Sequence, residues 1–125
     1  MAISWEESII FFLLNQKEIE KMKKTIYKIT NLINQKSYIG QTTDFKRRVQ
    51  EHRAKGYGSE KNKILYYAFD KYGIENFSFE ILEENIENYN EREIYWIEFY
   101  KTLVPNGYNM SIGGEESPHK VGEEH

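Results

Sequence analysis

With 125 residues, of which 39% are hydrophobic and 30% charged, the chain can build one modest core but not two independent ones. It contains no cysteine, which excludes a disulfide framework and any thiolate metal site and is in keeping with an intracellular setting. The net charge of −3 excludes a surface that is basic all over, yet 16–63 carries 13 Lys and Arg against 5 Asp and Glu, whereas 64–125 carries 4 against 13. One part of the chain suits phosphate and the other does not.

The segment 1–22 opens with Ser4-Trp5-Glu6-Glu7, a capping box that predicts a helix. Residues 9–14 of that helix are all apolar, too few to span a membrane, and the acidic start is unlike a signal peptide. An apolar surface on every side for a turn and a half is ill-suited to water. The helix is therefore expected to pack on the domain, or to meet a targeting partner or a second copy of the chain.

Two β-prone runs follow at 25–30 and 36–40, carrying Tyr27 and Tyr38, with Asn31, Asn34 and Gln35 in a polar connection between them. They predict a hairpin with a loop longer than two residues. Thr42, Thr43 and Asp44 then offer an N-cap for a helix over 45–53. Helical spacing puts Phe45, Val49 and His52 on one face with Arg48 beside them, while Lys46, Arg47 and Arg53 point elsewhere. An inward arginine needs a partner or a task, because an unpaired charge in a low-dielectric site is costly.

Residues 56–62 read as a loop, with Ser59 a cap for a helix over 61–72 that ends at Gly73 and buries Ile64, Leu65, Ala68 and Phe69. Alternation of Phe77, Phe79 and Ile81 predicts a third strand over 76–82. A last helix over 90–101 has an apolar stripe of Ile94, Ile97 and Tyr100 with Trp96 at its edge, and Glu93 falls inside the stripe. The turn Pro105-Asn106-Gly107 leads to Asn109, and a polar tail closes the chain. The element order is β-β-α-α-β-α after the N-terminal helix. It predicts a small α+β domain with a three-stranded, mainly antiparallel sheet flanked by helices. One inward arginine and one inward carboxylate on separate helices are either a buried Arg48–Glu93 ion pair or two parts of a site.

Thr25-Ile26-Tyr27, Tyr38-Ile39-Gly40, Arg48, His52, Glu93 and Gly107-Tyr108-Asn109, in that order and spacing, resemble the pattern of the GIY-YIG endonucleases, above all the catalytic domains of phage and intron-encoded homing enzymes. The resemblance covers 23–114, leaving 1–22 as a helical extension and 115–125 as a flexible tail; Ser117-Pro118-His119-Lys120 is similar to the start of a linker towards a DNA-binding region. It implies catalytic roles for six residues. Tyr27 or Tyr38 serves as general base or orients the attacking water, Arg48 contacts the scissile phosphate, and His52 hydrogen-bonds within the site. Glu93 is the single metal-binding carboxylate, for Mg²⁺ with Mn²⁺ as a substitute, and Asn109 supports the site. Lys36, Gln41, Lys46, Arg47 and Arg53 are the expected DNA contacts.

The chemistry accounts for these residue types. Phosphodiester hydrolysis builds charge on the equatorial oxygens and the leaving 3′ oxygen, which a fixed guanidinium and one divalent ion neutralise. A phenol is mostly protonated at neutral pH, so a tyrosine base needs a cation nearby. Three departures from the pattern stand out: Thr25 replaces the first glycine, Gln41 stands where some relatives have a lysine near the phosphate, and Gly-Ser-Glu-Lys-Asn at 58–62 stands where close relatives can carry another histidine. The reading is a metal-dependent DNA endonuclease of homing or nicking type. The alternatives are a structure-selective repair nuclease and a catalytically silent nucleic-acid-binding module on the same fold.

Overall fold

A computed structural model describes residues 4–54 and 62–114, the side chains of 17–21 excepted. The strands β1 (Lys24–Asn31), β2 (Ser37–Thr42) and β3 (Phe77–Ile86) form one antiparallel sheet in the order β2-β1-β3. Successive side chains of a strand face opposite ways, and β1 is apolar in both directions. Tyr27 and Ile29, with Tyr38 of β2, pack against Leu65, Tyr66 and Phe69 of helix α3 (Lys63–Tyr72). Ile26 and Ile39 pack on the other face against Ile97 of helix α4 (Tyr89–Tyr100). The sheet is thus covered on both sides.

The predicted hairpin is present, and its polar loop residues close it. Asn31 is fully buried; its Oδ1 accepts from the Ile33 N–H at 2.9 Å, and the Gln35 N–H donates to the Asn31 carbonyl at 2.7 Å. Asp44 caps helix α2 (Phe45–Ala54) by accepting the Arg47 N–H at 3.0 Å, as its position before the helix predicts. Gly73, at φ +87°, ends α3 with its N–H on the Phe69 carbonyl. The predicted Ser59 cap lies outside the described residues.

Four apolar positions differ from expectation. Ile64 is on the rim of α3 and Tyr66 is buried in its place, because the packed face follows Leu65, Tyr66 and Phe69. On α4 the buried row is Glu93 and Ile97, four residues apart, so Ile94 and Tyr100 turn outward. Tyr100 packs instead against Trp96, with rings stacked at 5.6 Å, and under the Lys28 ammonium at 3.7 Å. Ile81, opposite Tyr27 where the β1–β3 register shifts, is also exposed.

The N-terminal helix α1 (Trp5–Lys21) begins with the predicted capping box: the Glu7 N–H donates to Ser4 Oγ at 3.2 Å and the Ser4 N–H to Glu7 Oε1 at 3.0 Å. Its apolar run does not pack on the domain, since Ile9, Ile10, Phe11, Phe12, Leu13 and Leu14 are each 44–68% exposed. Among the described residues no helix is long and apolar enough to cross a membrane.

Candidate active site

Tyr27 is the hub of the site. Its ring is 1% exposed and lies across Gly40, directly opposite in the β1–β2 register. A Cβ on Gly40 would stand 2.5 Å from both Cζ and Oη of Tyr27, so the glycine is required by close approach of the ring. Phe45 and Tyr38 flank the ring at 5.9 and 6.3 Å between centroids. The hydroxyl is thereby aimed at α2, where it meets His52 Nε2 at 2.9 Å and accepts from Arg48 Nε at 3.4 Å.

Arg48 and His52 are one turn apart on α2, which is why both reach the same oxygen. Of the two readings of the inward charges, a buried Arg48–Glu93 pair is not found among the described residues; Arg48 Nη1 is paired with Glu51 Oε1 at 2.8 Å within its own helix. Burial opposes the Arg48 charge, but Tyr27 and the Glu51 bond outweigh it and raise the guanidinium pKa above its ordinary value. Arg48 is a fixed cation at the site. His52 has no exposed surface, and burial followed by the Arg48 charge lowers its pKa to about 3. It is therefore a neutral imidazole at physiological pH.

Behind His52 the network continues into α3. His52 Nδ1 lies 3.1 Å from the Tyr66 hydroxyl, and Asn62 bonds to that hydroxyl as well. Burial raises the Tyr66 pKa against the opposing influence of Arg48, so Tyr66 keeps its proton. Tyr38 donates to Asn62 Oδ1 at 3.1 Å. The two motif tyrosines are thus joined through His52, Tyr66 and Asn62. Neither Tyr66 nor Asn62 stands out in the sequence. Asn62 at the N-cap of α3 and Tyr66 four residues on, beside an apolar row, is the signal that could have marked them.

Glu93 sits on α4, across β2 from this network, and is 2% exposed. Its Oε1 accepts from Gln41 Nε2 at 2.9 Å and from the Gly114 N–H at 2.6 Å. Gln41 is itself fixed: Lys24 Nζ donates to its Oε1 at 2.8 Å, and its Nε2 also reaches Asn90 Oδ1 at 2.9 Å. Positive φ at Gly113 (+108°) and Gly114 (+72°) lets the backbone turn its amide onto the carboxylate. Adjacent residues of β2 therefore serve the two halves of the site, Gly40 under Tyr27 and Gln41 on Glu93.

Asn109 locks the C-terminal loop to β2. It accepts from the Ile39 N–H at 2.8 Å and from Thr102 Oγ1 at 2.7 Å, and donates to the Ile39 carbonyl at 2.9 Å. Tyr108 receives Asn31 Nδ2 at 3.0 Å, and Gly107 abuts the Thr102 backbone where a Cβ would clash. This motif thus holds β2 and the segment that brings Gly114 to Glu93.

The expected DNA contacts separate into groups. Lys46 and Arg47 are exposed on α2, with Arg47 Nε 3.6 Å from Glu51. The Arg53 guanidinium stacks over Phe79 at 4.7 Å. Lys36 is exposed at the hairpin, at the far end of β2 from α2, roughly 20 Å away by strand rise. Gln41 is buried on Glu93 and not on the surface.

Among the described residues no three His, Cys, Asp or Glu side chains gather into a multidentate metal site. Glu93 does fit the lesser demand of Mg²⁺, which commonly binds one or two carboxylates and takes waters and substrate phosphates for the rest of its shell. A carboxylate steadied by two N–H donors is suited to that role.

This small α+β domain holds a fixed guanidinium, a buried phenol and a steadied carboxylate around one strand, the kinds of group that hydrolysis of an anionic ester calls for. The chain matches the GIY-YIG catalytic domain over residues 23–109 and belongs to that family. It is 45% identical to the segB protein of Enterobacteria phage T4, an endonuclease by name, over 71% of this chain and 38% of that one. With intron-associated endonuclease 1 of the same phage it shares 34% identity over 82% and 44% of the two lengths. The chain thus spans less than half the length of the curated relatives it matches. Among solved structures, the catalytic domain of the homing endonuclease I-TevI is similar with a TM-score of 0.61 and 33% identity, over 71% of this chain and 99% of that one.

Proposed function

We propose that the chain hydrolyses DNA phosphodiesters as a divalent-metal-dependent endonuclease of homing or nicking type, cutting one strand per visit because one site faces one phosphate. The observation that carries this is the convergence of Arg48 Nε and His52 Nε2 on the Tyr27 hydroxyl, with a Glu93 fixed by Gln41 and Gly114 across β2.

Tyr27 orients the attacking water. With its hydroxyl donating to His52 Nε2, its oxygen accepts a hydrogen bond from the water and aims it. The water oxygen bonds to phosphorus, the P–O3′ bond breaks, and the water's proton is released to solvent, from which the 3′ oxygen is protonated. Arg48 neutralises charge growing on the equatorial oxygens, a role for which a permanent cation is needed. Glu93 holds the divalent ion, Mg²⁺ or Mn²⁺, which when bound supplies positive charge to the phosphate and leaving oxygens. Lys46, Arg47 and Arg53 contact neighbouring phosphates and confer salt-sensitive affinity; Lys36 contacts the backbone further along, and Asn109 supports the site from β2. Gln41 acts on Glu93. Sequence choice comes from a targeting partner or another DNA-binding region, and the exposed apolar run of α1 is the surface for a partner or second copy. Polar replacement of 9–14 should then change sedimentation of the protein.

The test is relaxation of supercoiled plasmid with Mg²⁺ by the unaltered protein, Arg48→Ala, Glu93→Ala and an EDTA control. Relaxation by the unaltered protein alone is expected, with losses of about 10²–10³-fold for Arg48→Ala. Relaxation that persists in EDTA, or in both variants, refutes the reading.

A further inference from the structure

The hydrogen bonds around His52 have a direction. A guanidinium N–H can only donate, so Arg48 Nε donates into the Tyr27 oxygen; the 2.9 Å contact between that hydroxyl and His52 Nε2 carries either the Tyr27 proton or a ring proton, according to the tautomer. His52 is neutral, so if Nε2 is bare the ring proton is on Nδ1, and its acceptor is the Tyr66 hydroxyl at 3.1 Å. Asn62 fits this direction at the far end. Its Oδ1 accepts from the Tyr38 hydroxyl, and its hydrogen bond to Tyr66 lowers the pKa of that phenol, as a donor to the phenol oxygen does.

We infer that Tyr66 is a positioning residue of the site: by accepting Nδ1–H it holds His52 in the Nδ1-protonated tautomer, which keeps Nε2 bare for Tyr27 and leaves a Tyr27 lone pair for the attacking water. The opposite tautomer places a proton on Nε2, which donates to Tyr27 and competes with the water for the same oxygen. Arg48 already occupies one side of that oxygen, so a second donor from the protein closes it. This inference rests on the nuclease reading for its consequence, but the tautomer itself does not.

The experiment uses the full chain, ¹⁵N-labelled, in a long-range ¹H–¹⁵N correlation at neutral pH. The His52 signals are separated from those of His119 and His125 by comparison with His52→Gln. The unaltered protein should show a pyrrole-type Nδ1 and a pyridine-type Nε2. Tyr66→Phe, which keeps the ring and removes the acceptor, should move His52 towards the Nε2-protonated form. It should lower kcat for plasmid nicking roughly 10-fold, the scale of one hydrogen bond, with KM for DNA within about 2-fold. Tyr66→Phe with a near-ultraviolet spectrum and melting curve like the parent serves as the folding control. A proton on Nε2 in the unaltered protein overturns the inference, and so does a Tyr66→Phe variant with unchanged tautomer or unchanged kcat. If the unaltered protein cleaves no DNA, the nuclease reading fails, and the tautomer result still decides whether Tyr66 orients His52.

Discussion

Replacing Gly40 by alanine tests whether the glycine of the Tyr38-Ile39-Gly40 motif serves space or backbone freedom. Its φ is not in the left-handed region, so alanine carries no backbone strain there. Reduced freedom of the unfolded chain would on its own stabilise the variant by about 0.4–1 kcal/mol. The added Cβ, however, would stand 2.5 Å from Tyr27 Cζ and Oη and 2.8 Å from Cε1. The ring cannot move aside freely, since it is 1% exposed and held between Tyr38, Phe45 and His52. Overpacking of this kind costs about 1–3 kcal/mol. A displaced hydroxyl also leaves His52 Nε2 without its partner in the core, about 1–3 kcal/mol more. The sum of about 2–6 kcal/mol exceeds the entropic gain and is a large part of the roughly 5–15 kcal/mol that stabilises a domain. Urea denaturation measures the net loss, and at about 4 °C per kcal/mol the melting temperature should fall by roughly 4 °C or more after the entropic gain is subtracted. Nicking should fall with it. A Gly40→Ala variant as stable and as active as the parent would refute the claim that Tyr27 is aimed by contact with residue 40.

Three further outcomes are expected. Gln41→Ala removes one of the two donors on Glu93 Oε1, so the Mg²⁺ concentration giving half-maximal nicking should rise about 10-fold or more, and an unchanged metal titration would count against this role. His52, with a folded pKa of about 3 against an ordinary 6.5, binds fewer protons folded than unfolded. Stability should thus be full above about pH 6.5 and decline as the pH falls towards 3, by up to about 4–5 kcal/mol. Urea midpoints between pH 4 and 7 should show a steeper acid decline for the parent than for His52→Gln; parallel curves would contradict the buried neutral imidazole. Asn109→Ala strips the Ile39 amide and carbonyl of their partner and should destabilise by about 2–4 kcal/mol, with Thr102→Ala milder; chemical denaturation of both variants compares them.

Much of the fold and part of the site were legible in the sequence, because local chemistry carried them. The two tyrosine-bearing strands, the Asp44 cap, the Gly73 stop and the Ser4–Glu7 capping box each depend on residues a few positions apart. Helical spacing was likewise enough to turn Arg48, His52 and Glu93 inward, and the ordered motif identified the family. Period alone did not fix which side of α3 and α4 is buried. A rotation of one residue moved burial from Ile64 to Tyr66 and turned Ile94 and Tyr100 outward, and only the sheet beneath the helices selects that rotation.

What the partners of the inward residues are was decided by tertiary structure. Arg48 and Glu93 carry opposite charges and both point inward, so sequence logic allowed them to pair. They lie instead in different hydrogen-bond networks on the two sides of β2, where Glu51 and Gln41 reach them. Gln41 is 52 positions from Glu93, and Gly114 is 21 positions beyond it. No local propensity encodes such contacts. They exist because the antiparallel register sets Gly40 beneath Tyr27 and because Asn109 fastens the C-terminal loop onto β2, so side chains remote in sequence become neighbours only when the sheet closes.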